Sequence, residues 1–171
     1  MRLDNTYCDI PGITRSEGER LAEFAVSCMA RQNHASGVSM ECRGIVSAAE
    51  EITWTSQFTP QLDRSTLDLQ ESTEHGAEWI SILFAIEHTR FTVLERSWKG
   101  TGFDYWLTEK ESTLFQNAAR FEISGILDGK EKVKQRIVDK LAQVSRSDWM
   151  NCPAYVSVVE FSQPSIDFII K

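Results

Sequence analysis

The sequence predicts an α/β protein: one domain, with a mixed central β-sheet flanked by helices. Three observations lead there. Apolar residues recur at helical spacing over residues 15–33, 66–88 and 130–145, and alternate at strand spacing in several stretches between them. The two kinds of stretch interleave along the chain, which is the order expected when helices cover the faces of a sheet. Two carboxylates, Asp104 and Glu122, lie inside strongly apolar strand-like stretches, where an acid is rare unless it is paired or binds a metal.

Residues 1–13 read as a lead-in broken at Pro11-Gly12. Leu21, Phe24, Ala25, Cys28 and Met29 fall on one helical stripe, and Ser36-Gly37 ends that helix. Val38, Met40 and Cys42 alternate with polar residues as a strand does. Arg43-Gly44 is a candidate turn and Ile52–Thr55 a candidate partner, giving a hairpin. Residues 1–60 are thus expected to form an N-terminal helix and β-hairpin extension, with Pro60 as the boundary to a core over 66–162.

Residues 66–88 predict the longest helix, with Ile80, Leu83, Phe84 and Ile86 inward and an acidic first half. Gly76 costs that helix about 1 kcal/mol relative to Ala, and would let a neighbouring element come close. Residues 90–96 alternate as a strand. The stretch Lys99–Leu127 then reads as a Gly-rich turn, a strand Phe103–Leu107 carrying Asp104, a loop, and a strand Phe115–Ile126 carrying Glu122. A basic amphipathic helix over 130–145 places Val133, Ile137 and Leu141 inward. Ala154–Phe161 is a buried strand, and Ser165–Lys171 is expected at a sheet edge.

The 171 residues are enough to bury a sizeable single core. No run approaches the ~18 apolar residues of a membrane span, and the N-terminus lacks the apolar region of a signal peptide. A cytoplasmic protein without a membrane partner is expected. Cys8, Cys28, Cys42 and Cys152 have no zinc spacing and read as buried or idle thiols. The net charge of −7 argues against a broad nucleic-acid surface, which needs clustered cations. A local patch exists, because residues 130–146 hold six basic and two acidic side chains, a net of +4. If DNA is contacted, Lys130, Lys134 and Arg136 are the candidates.

Arg120, Glu122 and Ser124 share one face of their strand, and Asp104 shares a face with Trp106. Pairing of the two strands would bring both carboxylates to one point. Such hard oxygen ligands suit Mg²⁺ or Mn²⁺, and Glu74 or Glu78, four apart on one helix face, would complete the set. A purely structural reading stands beside this: Asp104 paired with Lys99 or Arg120, and Glu122 with Arg120 or Arg96. Gly100-Thr101-Gly102 is not a phosphate loop, since no GK[ST] follows it. His75 and His88 flank the acidic helix, where capping or packing explains them. Trp98, Phe103, Tyr105 and Trp106 crowd the same point, and any that are exposed would anchor a partner.

From residue 66 to 162, the order helix, strand, strand with Asp104, strand with Glu122, helix, strand resembles the core of the PD-(D/E)XK nuclease-like superfamily. The resemblance implies a restriction-endonuclease-like core in which Asp104 and Glu122 hold Mg²⁺, assisted by an acid of the first helix. The third motif position, a water-orienting Lys in that family, is Ser124 here. Lys99, Lys130, Lys134 or Arg120 would have to replace it, and a guanidinium stabilises charge but cannot serve as a base. The function implied is a nuclease-like domain, degenerate at this position and cleaving little on its own, that acts on or near nucleic acid in conflict between bacteria and phage. The alternative is a non-catalytic subunit that binds protein partners in a multiprotein anti-phage defence complex. The missing lysine, the acidic charge and the aromatic load favour that alternative.

Overall fold

The computed structural model describes residues 1–4, 10–112, 115 and 117–171, so Cys8, much of the lead-in and part of the expected strand start near Phe115 lie outside the described residues. In chain order the elements are α1 (Arg15–Arg31), β1 (Val38–Gly44), β2 (Ala48–Ile52), α2 (Pro60–Ser65), α3 (Leu69–His88), β3 (Phe91–Arg96), β4 (Tyr105–Glu109), β5 (Ala119–Ile126), α4 (Val133–Val144), β6 (Ala154–Glu160) and β7 (Ser165–Ile170). A 3-10 turn at Lys130–Lys132 leads into α4, and another at Ser145–Met150 leads out.

The strands form one seven-stranded mixed sheet in the order β2-β1-β7-β6-β5-β4-β3. β5 and β6 run parallel, as do β1 and β7, and the remaining neighbours are antiparallel. The fold class is the one expected. The tail differs: β7 is an inner strand between β1 and β6, not an edge. Its Ile166 and Phe168 are fully buried, and the parallel pairing with β1 joins the N-terminal hairpin to the rest of the sheet.

The expected helix over 66–88 is α3, which starts three residues later at Leu69; the short α2 is a separate helix that ends before residue 66. The Asp68 carboxylate accepts hydrogen bonds from the Gln70 and Glu71 backbone N–H groups at 2.9 and 3.0 Å, and so starts α3 afresh. Gly76 does what its position suggested, since a Cβ there would sit 3.2 Å from the Ala25 backbone where α1 crosses α3. In the hairpin, Val38 pairs with Ile52, so β2 ends at Ile52 where a strand over 52–55 was expected.

Alternation along β5 divides the molecule. Phe121 and Ile123 join Tyr155 and Phe168 in the core under α1 and α3, which also buries Trp79. On the opposite face Ala154, Val156 and Val158 of β6 pack with Val133 and Val144 of α4. Between them, β5 turns Arg120, Glu122 and Ser124 towards α4. Cys28 and Cys42 are buried free thiols, and Cys152 is a half-buried one. Among the described residues no helix is long and apolar enough to cross a membrane.

Candidate active site

β4 pairs with β5 only from Leu107↔Ala119 to Tyr105↔Phe121. Asp104 therefore stands one residue before β4, not within it. Its backbone N–H donates to Phe121 O at 2.8 Å, and its own Oδ2 accepts from Ile123 N–H at 2.8 Å. The carboxylate takes the ladder bond that a longer β4 would have used, which fixes it against β5. Past this point β4 no longer covers β5, and a cavity of about 680 Å³ opens between α3 and α4.

The polar side chains of α4 meet those of β5 as rungs. Arg136 donates to Ser124 Oγ at 2.7 Å, and Lys140 Nζ and Gln143 Nε2 donate to Glu122 Oε1 at 2.5 and 2.8 Å. Arg120 donates to Val144 O at 3.1 Å and to Ser147 Oγ at 2.9 Å. From α3, Glu78 faces the same cavity, held by His75 Nδ1 at 2.8 Å and Arg96 at 3.3 Å. Glu74 also lines it but is exposed and accepts from Gln70.

The structure thus gathers Glu74, Glu78, Asp104, Glu122 and Ser124 around one cavity, with Arg136 from the basic helix. It leaves the other predicted residues outside. Arg120 is buried at the far end of α4 and contacts neither carboxylate. Lys130 donates to Gln163, and Lys134 is exposed away from the cavity. Lys99 lines a separate groove on the other side of Asp104. Neither structural pairing expected for the acids occurs: Glu122 pairs with Lys140, and Arg96 pairs with Glu78 and Glu17. Lys140 and Gln143 escaped the sequence reading. With Arg136 they form a polar stripe at i, i+4, i+7, visible in principle beside the Val133–Ile137–Leu141 stripe.

Burial pushes the Asp104 carboxyl above its ordinary range, opposed by the Ile123 N–H and reinforced by Glu78. Burial likewise carries Glu122 from the ordinary 4.5 to about 7; the Asp104 carboxyl within hydrogen-bonding reach adds to the rise and Lys140 opposes it. Glu122 Oε2 is buried and accepts no hydrogen bond from any described residue. Two carboxyls so placed share a proton or a cation. The folded chain keeps a proton that the unfolded chain releases, so stability falls as pH rises from about 4.5 to about 7. His75, raised by its bond to Glu78, continues the fall as pH rises above its ordinary 6.5. Metal-free denaturation curves should show the first part of this slope, on the order of 2 kcal/mol, and Glu122→Gln should flatten it. An unchanged slope in that variant would place the proton elsewhere.

A second group also suits a metal. Ligand atoms of Glu50, Glu87 and His88 lie within 4.8 Å of one another, and no other three such side chains among the described residues come as close. His88 is the last residue of α3, pairs with Glu50 and packs on the Phe84 ring. No family model matches the chain, no curated protein matches it, and no solved structure matches its fold.

Proposed function

We propose that the cavity is the active site of a metal-dependent hydrolase of nucleic-acid phosphodiester bonds, of the PD-(D/E)XK nuclease-like kind, in which Lys140 supplies the ammonium that Ser124 lacks. One observation carries this reading: Lys140 Nζ lies 2.5 Å from Glu122 Oε1, beside the pinned Asp104 carboxylate. The order β3, β4, β5, α4, β6 with Asp104 before β4 and Glu122 in β5 supports it further.

The donor set fits Mg²⁺ or Mn²⁺. Glu122 Oε2 is buried without a donor among the described residues, and the group beside it, Asp104, is a second carboxylate. Asp104 and Glu122 would hold the ion, while Glu78 lines the same cavity with its oxygens held by His75 and Arg96. When bound, such a cation acts as a Lewis acid and lowers the pKa of a coordinated water. The chain does the rest. The Ile123 N–H keeps Asp104 oriented, and Gln143 keeps Glu122 and Lys140 in register. Lys140 holds a positive charge where negative charge grows on the attacked phosphate, in a site partly shielded from water. Arg136, on Ser124, adds a second cation deeper along α4.

The test is incubation of the purified chain with single- and double-stranded DNA and RNA in Mn²⁺. Cleavage is expected, and both Asp104→Ala and Glu122→Ala should reduce it below detection. Absence of cleavage by the wild type on every substrate would refute the enzyme reading and leave the non-catalytic, protein-binding subunit in its place.

A further inference from the structure

A smaller groove of about 360 Å³ adjoins the carboxylates, lined by Trp98, Lys99, Gly102 and Arg146 and sharing Asp104 and Gln143 with the larger cavity. We propose that this groove binds one unpaired nucleotide of a single-stranded nucleic acid, its base stacked on the Trp98 indole and its phosphate between Lys99 and Arg146. The proposal rests on the hydrolase reading above, because it names the form of strand that reaches Asp104 and Glu122.

The indole is 81% exposed, yet the turn that carries it is tied down. Ser97 N–H donates to Asp104 O at 2.7 Å, Thr101 Oγ1 to Trp98 O at 2.9 Å, and the Ser97 and Thr101 hydroxyls meet at 2.6 Å. Gly102 closes the turn at φ +88°, and a Cβ there would stand 2.7 Å from Gln143 O, so only glycine lets the turn press onto the end of α4. The result is an aromatic plate in water on a hydrogen-bonded mount, which can stack on a base with little ordering of its own.

The cations beside it are available. Lys99 and Arg146 make no hydrogen bond or ion pair with any described residue. Arg96, also at the groove, is committed to Glu78, Glu17 and the Tyr105 hydroxyl. Two free cations flanking an exposed indole suit one phosphate and one base. A duplex fits poorly, because its bases are already stacked, the groove has the size of a small-molecule site, and the chain carries a net charge of −7.

Fluorescence anisotropy of labelled dT12, U12 and a 12-base-pair duplex tests this, in Ca²⁺ with probe integrity checked on a gel. The wild type should bind a single strand at least tenfold more tightly than the duplex, and the dT12 and U12 arms separate DNA from RNA. Trp98→Ala should weaken single-strand binding roughly 5- to 100-fold and Trp98→Phe far less, as base–aromatic stacking requires. Lys99→Ala and Arg146→Ala should each lower the slope of log affinity against log salt by about 0.7. Single-strand binding unaffected by Trp98→Ala, a preference for duplex, or no binding at all would overturn the proposal. Cleavage scored in parallel separates the two readings. Cleavage with Trp98-independent binding sinks the subsite alone, and Trp98-dependent binding without cleavage sinks the hydrolase alone.

Discussion

Lys140→Met is expected to slow Mn²⁺-dependent cleavage by on the order of 10²–10³-fold, the usual consequence of removing one positioned charge from a transition state. The loss should appear in kcat more than in KM, since Lys140 meets the reacting centre and not the remainder of the strand. The substitution also leaves Glu122 with only Gln143 as donor, so the acidic limb of the pH–rate profile should move to higher pH. A lysine that only braces Glu122 would move the acidic limb and leave kcat on the plateau of the profile unchanged. Adding Ser124→Lys to the wild type should not raise the rate. Arg136 already donates to Ser124 Oγ at 2.7 Å, and a second cation there would face a guanidinium. An undiminished rate in Lys140→Met would remove Lys140 from the chemistry.

Arg120→Ala is expected to destabilise the fold by about 3–5 kcal/mol, read by chemical denaturation. Arg120 is 3% exposed and ties β5 to the segment that leads from α4 to β6. It donates to Val144 O at 3.1 Å, Ser147 Oγ at 2.9 Å and Cys152 O at 2.8 Å, and reaches Asp148 at 3.3 Å. The half-exposed Asp148 contributes little through solvent. The cost lies in the acceptors that lose the guanidinium, Cys152 O above all, since Val144 O keeps the Ser147 hydroxyl as a donor, and in the buried space the side chain leaves. Arg120→Lys should recover only a small part, because one ammonium cannot reproduce a planar fork of donors. A stable Arg120→Ala variant that lost cleavage would instead restore the catalytic role its strand face suggested.

The carboxylates were legible in the sequence because an acid inside an apolar stretch is an anomaly that burial alone cannot explain; Asp104 and Glu122 meet although Asp104 lies just outside β4, because its backbone and carboxylate continue the ladder onto β5. β3 and β6 were legible for the complementary reason, being short apolar runs between clear breaks. The start of α3 at Leu69 and not at 66 was also written locally, in Asp68 followed by Glu71 three residues later, the pattern of a helix start, but the acidic run that continues to Glu78 masked it. β7 could not be placed from its own residues. Its inner position depends on a parallel pairing with β1 more than a hundred residues earlier, and Asp167 in its middle mimics an edge strand. Lys140 was hidden similarly. Its distance from Glu122 depends on the phase of α4 against β5, a property of packing and not of either stretch alone.

Calorimetric titration of Mn²⁺ into the metal-free chain at pH 6.5, in two buffers of different ionisation heat, tests the metal site most directly. One site should bind with proton release, because Glu122, with its pKa at about 7, must give up its proton to bind the ion. Both binding and release should disappear in Glu122→Gln and Asp104→Asn and persist in His88→Ala. Binding that survives the first two substitutions, or vanishes with His88→Ala, would place the metal at Glu50, Glu87 and His88 and contradict the assignment of the cavity as the active site.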